Sequence, residues 1–167
     1  ITLMSGGAAL GEDIRARFLG CGFNVRCAYG LTETTGPVSI SNGLQAWPLR
    51  GVGQPLKGSS YVIINPDERG VGEVVYSGPC CMQGYFRDSS ATRAALSDKG
   101  FHTGDLGYIT PNDELVIVGR KKALIVFSDG KKAMPSDIEK HYRSTVGVSD
   151  LAVVVDKGSD DQVIAAL

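Results

Sequence analysis

Residues 1–36 read ITLMSGGAALGEDIRARFLGCGFNVRCAYGLTETTG, and this stretch decides the fold class. Residues 1–4 form a short apolar run that ends in Ser5-Gly6-Gly7, a strand running into a turn. Leu10, Ile14 and Phe18 then recur at helical spacing and predict a helix over residues 11–18. Gly20 and Gly22 stop it. Residues 24–29 alternate as a second strand does. Strand, helix, strand in this order predicts a parallel unit, with its loops at the carboxyl ends of the strands.

Working outward, the character changes at Gly51. Strands become short and turns frequent. Ser60–Ile64 and Gly72–Ser77 read as strands flanking the turn Asn65-Pro66-Asp67. Residues 106–109 and 114–118 read as a hairpin across Thr110-Pro111-Asn112-Asp113. Residues 91–96 read as a short helix capped by Ser89-Ser90. Past Gly119 the pattern shifts again. A strand over residues 124–127, a turn at Ser128-Asp129-Gly130, a helix over residues 135–143 opened by Pro135, and a strand over residues 151–155 begin a small α+β domain. The fold class is therefore mixed α/β.

Composition narrows the function. Of the 167 residues, 43% are hydrophobic and 21% charged, which predicts a globular core rather than disorder. The formal net charge of -1 gives no basic surplus for nucleic acid. No apolar run approaches the roughly 20 residues that span a bilayer, and Trp47 reads as packing. The cysteines, Cys21, Cys27, Cys80 and Cys81, form no CxxC pair, and no histidine sits at zinc-ligand spacing. Reduced thiols in a cytoplasmic protein, at most peripheral to a membrane, are expected. The 22 glycines are spread along the chain, which fits both a turn-rich β region and main chain that approaches a ligand closely.

Four segments carry a resemblance: Ser5-Gly6-Gly7-Ala8, Tyr29-Gly30-Leu31-Thr32-Glu33-Thr34, Thr103-Gly104-Asp105 and Gly119-Arg120-Lys121-Lys122. A fifth runs from Gly72-Glu73-Val74 to Gly84-Tyr85. Together and in this order they resemble the adenylate-forming superfamily of acyl-CoA synthetases, firefly-type luciferases and peptide-synthetase adenylation domains. The Gly-Arg-Lys-Lys run, with Gly130-Lys131-Lys132 and Pro135 behind it, is most similar to long-chain acyl-CoA synthetases. The resemblance implies that residues 1–120 are the end of the large N-terminal domain, a strand–helix–strand unit plus a distorted β-barrel-like subdomain. It implies that residues 121–167 start the small α+β C-terminal domain.

The chemistry of such enzymes demands a particular set of groups. A carboxylate attacks the α-phosphorus of ATP, so two anions must be held in line and the growing charge neutralised. By the resemblance, the ring of Tyr29 lies against adenine, Thr32 contacts the α-phosphate, and Glu33 helps hold Mg²⁺, a hard cation suited to carboxylate oxygen. Thr32-Glu33-Thr34 also reads simply as a capped helix start. Asp105, in a His-Thr-Gly-Asp loop, would accept from the ribose hydroxyls; an Asp in a glycine turn is the plainer reading. Arg120 would offer its fork of donors to ribose or phosphate oxygens, or stand solvated beside Lys121. Gly6, Gly7 and Ala8 would let backbone approach the base and acyl pocket, and also suit a tight turn. Gly30 is either a turn glycine or the opening of the acyl tunnel. Gly130 and Lys131 would line the thiol channel for coenzyme A, or form a solvated hairpin tip. His102 is not read as a general base, because the incoming acid is already ionised.

Ala123 stands where the family has Asp, Asn or Lys at a hinge between domains. The loop that wraps the β- and γ-phosphates is expected upstream of Ile1, and the catalytic lysine downstream of Leu167, so the chain alone is expected to perform no turnover. The resemblance implies an AMP-forming acid–thiol ligase that uses ATP, Mg²⁺ and coenzyme A, its partner a carboxylic acid, most naturally fatty acyl. The rivals are an adenylation domain that loads a carrier protein and a degenerate nucleotide-binding homologue without catalysis.

Overall fold

A computed structural model describes residues 1–43, 49–127, 130–142, 151–156 and 162–166. Trp47 and the Ser128-Asp129 part of the expected turn lie outside the described residues. The chain divides into two compact units, Ile1–Val118 and Gly119–Leu167.

The first unit opens with β1 (Thr2–Gly6), α1 (Glu12–Gly20) and β2 (Asn24–Leu31). β1 and β2 pair in parallel, from Thr2 opposite Asn24 to Gly6 opposite Ala28, as the opening pattern predicts. A single 3₁₀ turn (Thr32–Thr34) follows, then β3 (Gly36–Ile40), β4 (Gly51–Pro55), β5 (Ser60–Ile64), β6 (Gly72–Ser77), α2 (Ser89–Ala95), β7 (Leu96–Ser97), β8 (Gly100–Ile109) and β9 (Leu115–Arg120), whose last two residues fall in the second unit. Among the described residues these strands form one nine-stranded sheet in the order β1-β2-β3-β4-β9-β8-β6-β5, with β7 on β8. Apart from β1–β2, the strand pairs are antiparallel where their register is given. The core is rich in valine: Val25, Val38, Val74, Val75 and Val116 are buried with Tyr76, Leu115 and Phe101. β-branched residues suit this pleated, packed surface.

The helix α1 departs from its apolar spacing. Ile14 and Phe18 are 45% and 43% exposed, while Arg15 is fully buried. The arginine lies inside because it finds donors' partners there. Nη1 donates to the carbonyls of Leu49 and Gly51 at 2.5 and 3.0 Å, and Nη2 to the Val25 carbonyl and Ser41 Oγ at 3.3 and 2.8 Å. Ser41 Oγ also accepts from the Cys27 amide at 2.8 Å. One guanidinium thus ties α1 to β2, to the end of β3 and to β4, where a hydrophobic side chain would leave several carbonyls unpaired.

The helix α2 is capped by Asp88 rather than by the serines. Asp88 accepts from the Ala91 amide at 2.8 Å, and Ser89 is already helical. Asp offers the same acceptor one residue earlier.

In the second unit, Lys121–Ala123 form a 3₁₀ turn, and Ala123 takes no positive φ. The strand expected over residues 124–127 is only β10 (Ile125–Val126), paired antiparallel with β11 (Lys132–Ala133). α3 (Pro135–Tyr142) follows, then β12 (Ala152–Asp156) and β13 (Gln162–Ala166), an antiparallel pair. Glu139 of α3 accepts from the Val153 amide at 3.2 Å. No helix among the described residues is long and apolar enough to cross a membrane.

Candidate active site

The parallel pairing of β1 and β2 brings the first two motifs side by side. Gly6 stands opposite Ala28, so the Gly7-Ala8 turn leaves the sheet beside Tyr29. Gly7 has φ +85, a conformation glycine adopts freely. A side chain on Gly6 would sit 3.3 Å from the Ala28 carbonyl oxygen, so this strand end favours glycine for close packing.

Gly30 has a packing reason as well. The register shifts between Tyr29 and Gly30, where β2 passes β3, and a Cβ there would collide with the backbone of Gly36 and Pro37. The glycine permits a bulge that turns the chain into Thr32–Thr34. Within that turn the residues divide. Thr34 is buried, and its hydroxyl accepts from the Leu31 amide at 2.9 Å and faces the Leu31 and Gly36 carbonyls at 3.0 and 2.9 Å. It closes the turn on itself, the local capping that threonine does well. Thr32 is exposed and Glu33 half-buried.

The Thr103-Gly104-Asp105 motif is not a loop. It lies inside β8, at a bulge. Glu73 pairs with Leu106 and Val75 with His102, so Val74 alone faces three residues. Gly104, at φ +69, makes the kink possible. The Thr103 hydroxyl replaces lost ladder bonds: it donates to the Val74 carbonyl at 2.7 Å and accepts from the Asp105 amide at 3.1 Å. A bulge re-aims a side chain, and the one re-aimed here is Asp105, only 3% exposed.

Tyr29 Oη donates to Asp105 Oδ2 at 2.5 Å. In a flat sheet β2 and β8 would stand about 19 Å apart, four strand spacings of ~4.8 Å. The contact therefore requires the sheet to curl over, and the rings confirm it: Tyr29 and Tyr61 of β5 have centroids 6.4 Å apart, Tyr61 and Tyr76 of β6 5.9 Å. Burial, and then the hydrogen bond to Asp105, push the Tyr29 phenol far above its ordinary pKa, so it stays a donor. Burial also pushes Tyr61 up to about 12, with the Ser39 hydroxyl acting the other way.

Glu33 is held from a different side. Its carbonyl accepts from the Met82 amide at 2.8 Å, and its Oε1 from the Tyr85 hydroxyl at 2.8 Å. Among the described residues no group of three or more His, Cys, Asp and Glu side chains could hold a metal. A lone carboxylate suits Mg²⁺, which binds through one or two carboxylates plus substrate phosphates and keeps several waters.

Tyr29, Asp105, Gly6, Gly7, Ala8, Gly30, Thr32 and Glu33 thus belong to the first unit, with Tyr29 and Asp105 in direct contact. Arg120, Gly130 and Lys131 belong to the second unit. His102 is held by its own neighbours, Nδ1 3.4 Å from Glu73 Oε2 and Nε2 3.0 Å from Ser97 Oγ. Sequence reasoning passed over Tyr85, Thr103 and Arg15. The first two sit in quoted motifs, and only their positions beside Glu33 and Asp105 could have marked them.

A model of the AMP-binding enzyme family matches residues 1–86. The long-chain-fatty-acid–CoA ligase FadD15 of Mycobacterium bovis is 37% identical over 92% of this chain and 24% of its own length. The chloroplastic long-chain-fatty-acid–[acyl-carrier-protein] ligase AEE15 of Arabidopsis thaliana is 30% identical over 98% of this chain and 24% of its own. The chain spans about a quarter of the length of these relatives. Among solved structures, o-succinylbenzoate coenzyme A synthetase of Bacillus subtilis with ATP and magnesium ion superposes with a TM-score of 0.85. It is 26% identical, over 99% of this chain and 36% of that one. The ATP-bound MatB of Rhodopseudomonas palustris gives 0.83 at 29% identity, over 97% and 34%.

Proposed function

The chain belongs to the AMP-binding enzyme family, and from that premise we propose that it forms the adenosine-binding part of an ATP-dependent acyl-CoA synthetase. One observation carries this reading: a buried carboxylate and a tyrosine ring from distant strands meet over 2.5 Å, next to the carboxyl ends of the parallel pair, where open α/β sheets bind ligands. We read the first unit as the end of the larger domain of such an enzyme and the second as the start of its small domain.

In the reaction, an acid oxygen attacks the α-phosphorus of ATP, giving acyl-AMP and pyrophosphate. The thiolate of coenzyme A then attacks the acyl carbonyl, and AMP departs. The ring of Tyr29 lies against adenine, while its phenol keeps Asp105 oriented. Asp105 accepts from the ribose, for which a carboxylate has lone pairs beyond the one Tyr29 uses. Thr32 donates to the α-phosphate. Glu33 would hold Mg²⁺ in part, and the ion would supply neutralisation of the phosphate charge. Arg120 is read as a donor to ribose or phosphate oxygens, and Gly130 and Lys131 as residues of the thiol channel. Similarity to fatty-acid ligases supports a fatty acid as the substrate and coenzyme A as the acceptor. The likeness to an acyl-carrier-protein ligase supports a carrier protein as the second reading.

The test is ATP–pyrophosphate exchange by the whole enzyme that carries this chain, run over acids of stepped length. Exchange with long acids is expected; no exchange with any acid overturns the reading. Product formation with coenzyme A against acyl carrier protein then decides the acceptor.

A further inference from the structure

The segment between β6 and α2 grips the Thr32–Thr34 turn at three points. Thr35 Oγ1 donates to the Cys80 carbonyl at 3.3 Å, the Met82 amide donates to the Glu33 carbonyl at 2.8 Å, and Tyr85 Oη donates to Glu33 Oε1 at 2.8 Å. The first holds the Thr35 side chain and the second the Glu33 backbone. The third holds the one carboxylate for which the Proposed function has a metal role.

Tyr85 does little else. It is 39% exposed, so core packing does not explain its ring. Its backbone, by contrast, is fixed. The Tyr85 amide donates to Thr92 Oγ1 at 2.9 Å, and that hydroxyl donates to the Asp88 carbonyl at 2.7 Å. Tyr85 also forms a bridge with Asp88, the residue that caps α2. A helix start thus anchors a tyrosine whose polar end reaches across 52 residues of sequence to Glu33. Among the described residues, Glu33 Oε2 takes no hydrogen bond.

We propose that Tyr85 is a positioning residue for the metal-binding carboxylate: its phenol pins Oε1 of Glu33 and so reserves Oε2 for a divalent cation that travels with the triphosphate. The inference rests on the metal role given to Glu33 under Proposed function. An unpinned glutamate on a half-exposed turn samples many rotamers, and ordering it opposes binding. A charge-assisted hydrogen bond removes that disorder beforehand. Hydrogen bonds to ligating carboxylates act in this way at metal sites generally, and their loss weakens metal binding by about 10- to 100-fold.

The experiment uses the whole enzyme with ATP bound and no acid present, Mn²⁺ as the probe, and the fall in the free-Mn²⁺ paramagnetic resonance signal as the readout. Tyr85→Phe is expected to weaken Mn²⁺ binding by about 10-fold. It should raise the Mg²⁺ needed for half-maximal pyrophosphate exchange to match, with metal-free AMP affinity unchanged. Glu33→Gln weakens Mn²⁺ binding too, and Tyr85→Phe adds nothing in that background, because the two act as one unit. If Glu33→Gln weakens the metal and Tyr85→Phe does not, the positioning role falls while the metal role stands. If Tyr85→Phe lowers AMP and Mn²⁺ affinity alike, the tyrosine is merely structural and the proposal falls. If Glu33→Gln leaves Mn²⁺ binding intact, the metal role itself is overturned.

Discussion

The phenol of Tyr29 and the carboxylate of Asp105 are 76 residues apart in sequence and 2.5 Å apart in space. The bond joins the second strand of a parallel unit to a bulge in the eighth strand of the same curled sheet. It couples two chemical roles, since a change in either residue reaches the other.

Asp105→Ala takes from the half-buried Tyr29 hydroxyl the carboxylate to which it donates. A loss of about 1–3 kcal/mol in unfolding free energy is expected, together with a similar loss in ATP use. Tyr29→Phe keeps the ring and removes only the donor, so its effect on AMP affinity should be the smaller of the two. Urea unfolding and AMP calorimetry on both variants check this.

The glycines of the two bulges should fail for different reasons. Gly30→Ala drives a Cβ into the Gly36 and Pro37 backbone, which neither strand can yield without breaking the pair. Gly104→Ala meets nothing within 4 Å but must hold φ +69, a strain of roughly 1–2 kcal/mol. Unfolding midpoints should therefore fall further for Gly30→Ala than for Gly104→Ala. Equal losses would mean that the β2–β3 bulge relaxes.

Arg15→Met removes the buried guanidinium and strips donors from Leu49, Gly51, Val25 and Ser41 together. A loss of more than about 2 kcal/mol is expected, since several neutral acceptors lose their donor at once and each costs about 1–3 kcal/mol where it stays dry. Chemical denaturation of the variant measures it. A change below about 1 kcal/mol would show that water reaches these carbonyls.

Glu114 gives the pH dependence a sign. Burial pushes its carboxyl above the ordinary value, while the positive charge of Arg15 works the other way. A raised folded-state pKa means the folded state holds the proton more tightly. The stabilisation is present below the unfolded value, about 4.3, and is lost as pH rises through the folded value. Relative to wild type, Glu114→Gln should gain stability over that rise and hold it at neutral pH. Unfolding midpoints taken from about pH 4 to about pH 7 would show the two curves parting; parallel curves would remove Glu114 as the cause.

Much of this was legible in the letters. The strand–helix–strand opening, the two strands around Asn65-Pro66-Asp67 and the hairpin across Thr110-Pro111-Asn112-Asp113 follow from apolar period and turn chemistry, which are local. The face of α1 was not legible. Leu10, Ile14 and Phe18 have the better apolar spacing, yet Arg15 goes inside, because the carbonyls that receive it come from residues up to 36 positions away. The Thr103-Gly104-Asp105 motif was misread as a loop for a similar reason. A glycine between two polar residues signals a turn when read locally, and only pairing with Glu73 and Val75 makes it a bulge within a strand.

The sequence by itself determined the strand–helix–strand opening, several of the turn-flanked strands after it and the family to which the chain belongs, because periodicity, turn residues and ordered motifs are properties of neighbours along the chain. Tertiary structure alone decided that Tyr29 touches Asp105, that Tyr85 holds Glu33 and that Arg15 is buried. Those contacts depend on how far the sheet curls and where its bulges fall. Curvature is the sum of many small strand twists and backbone kinks, and no short stretch of sequence carries that sum.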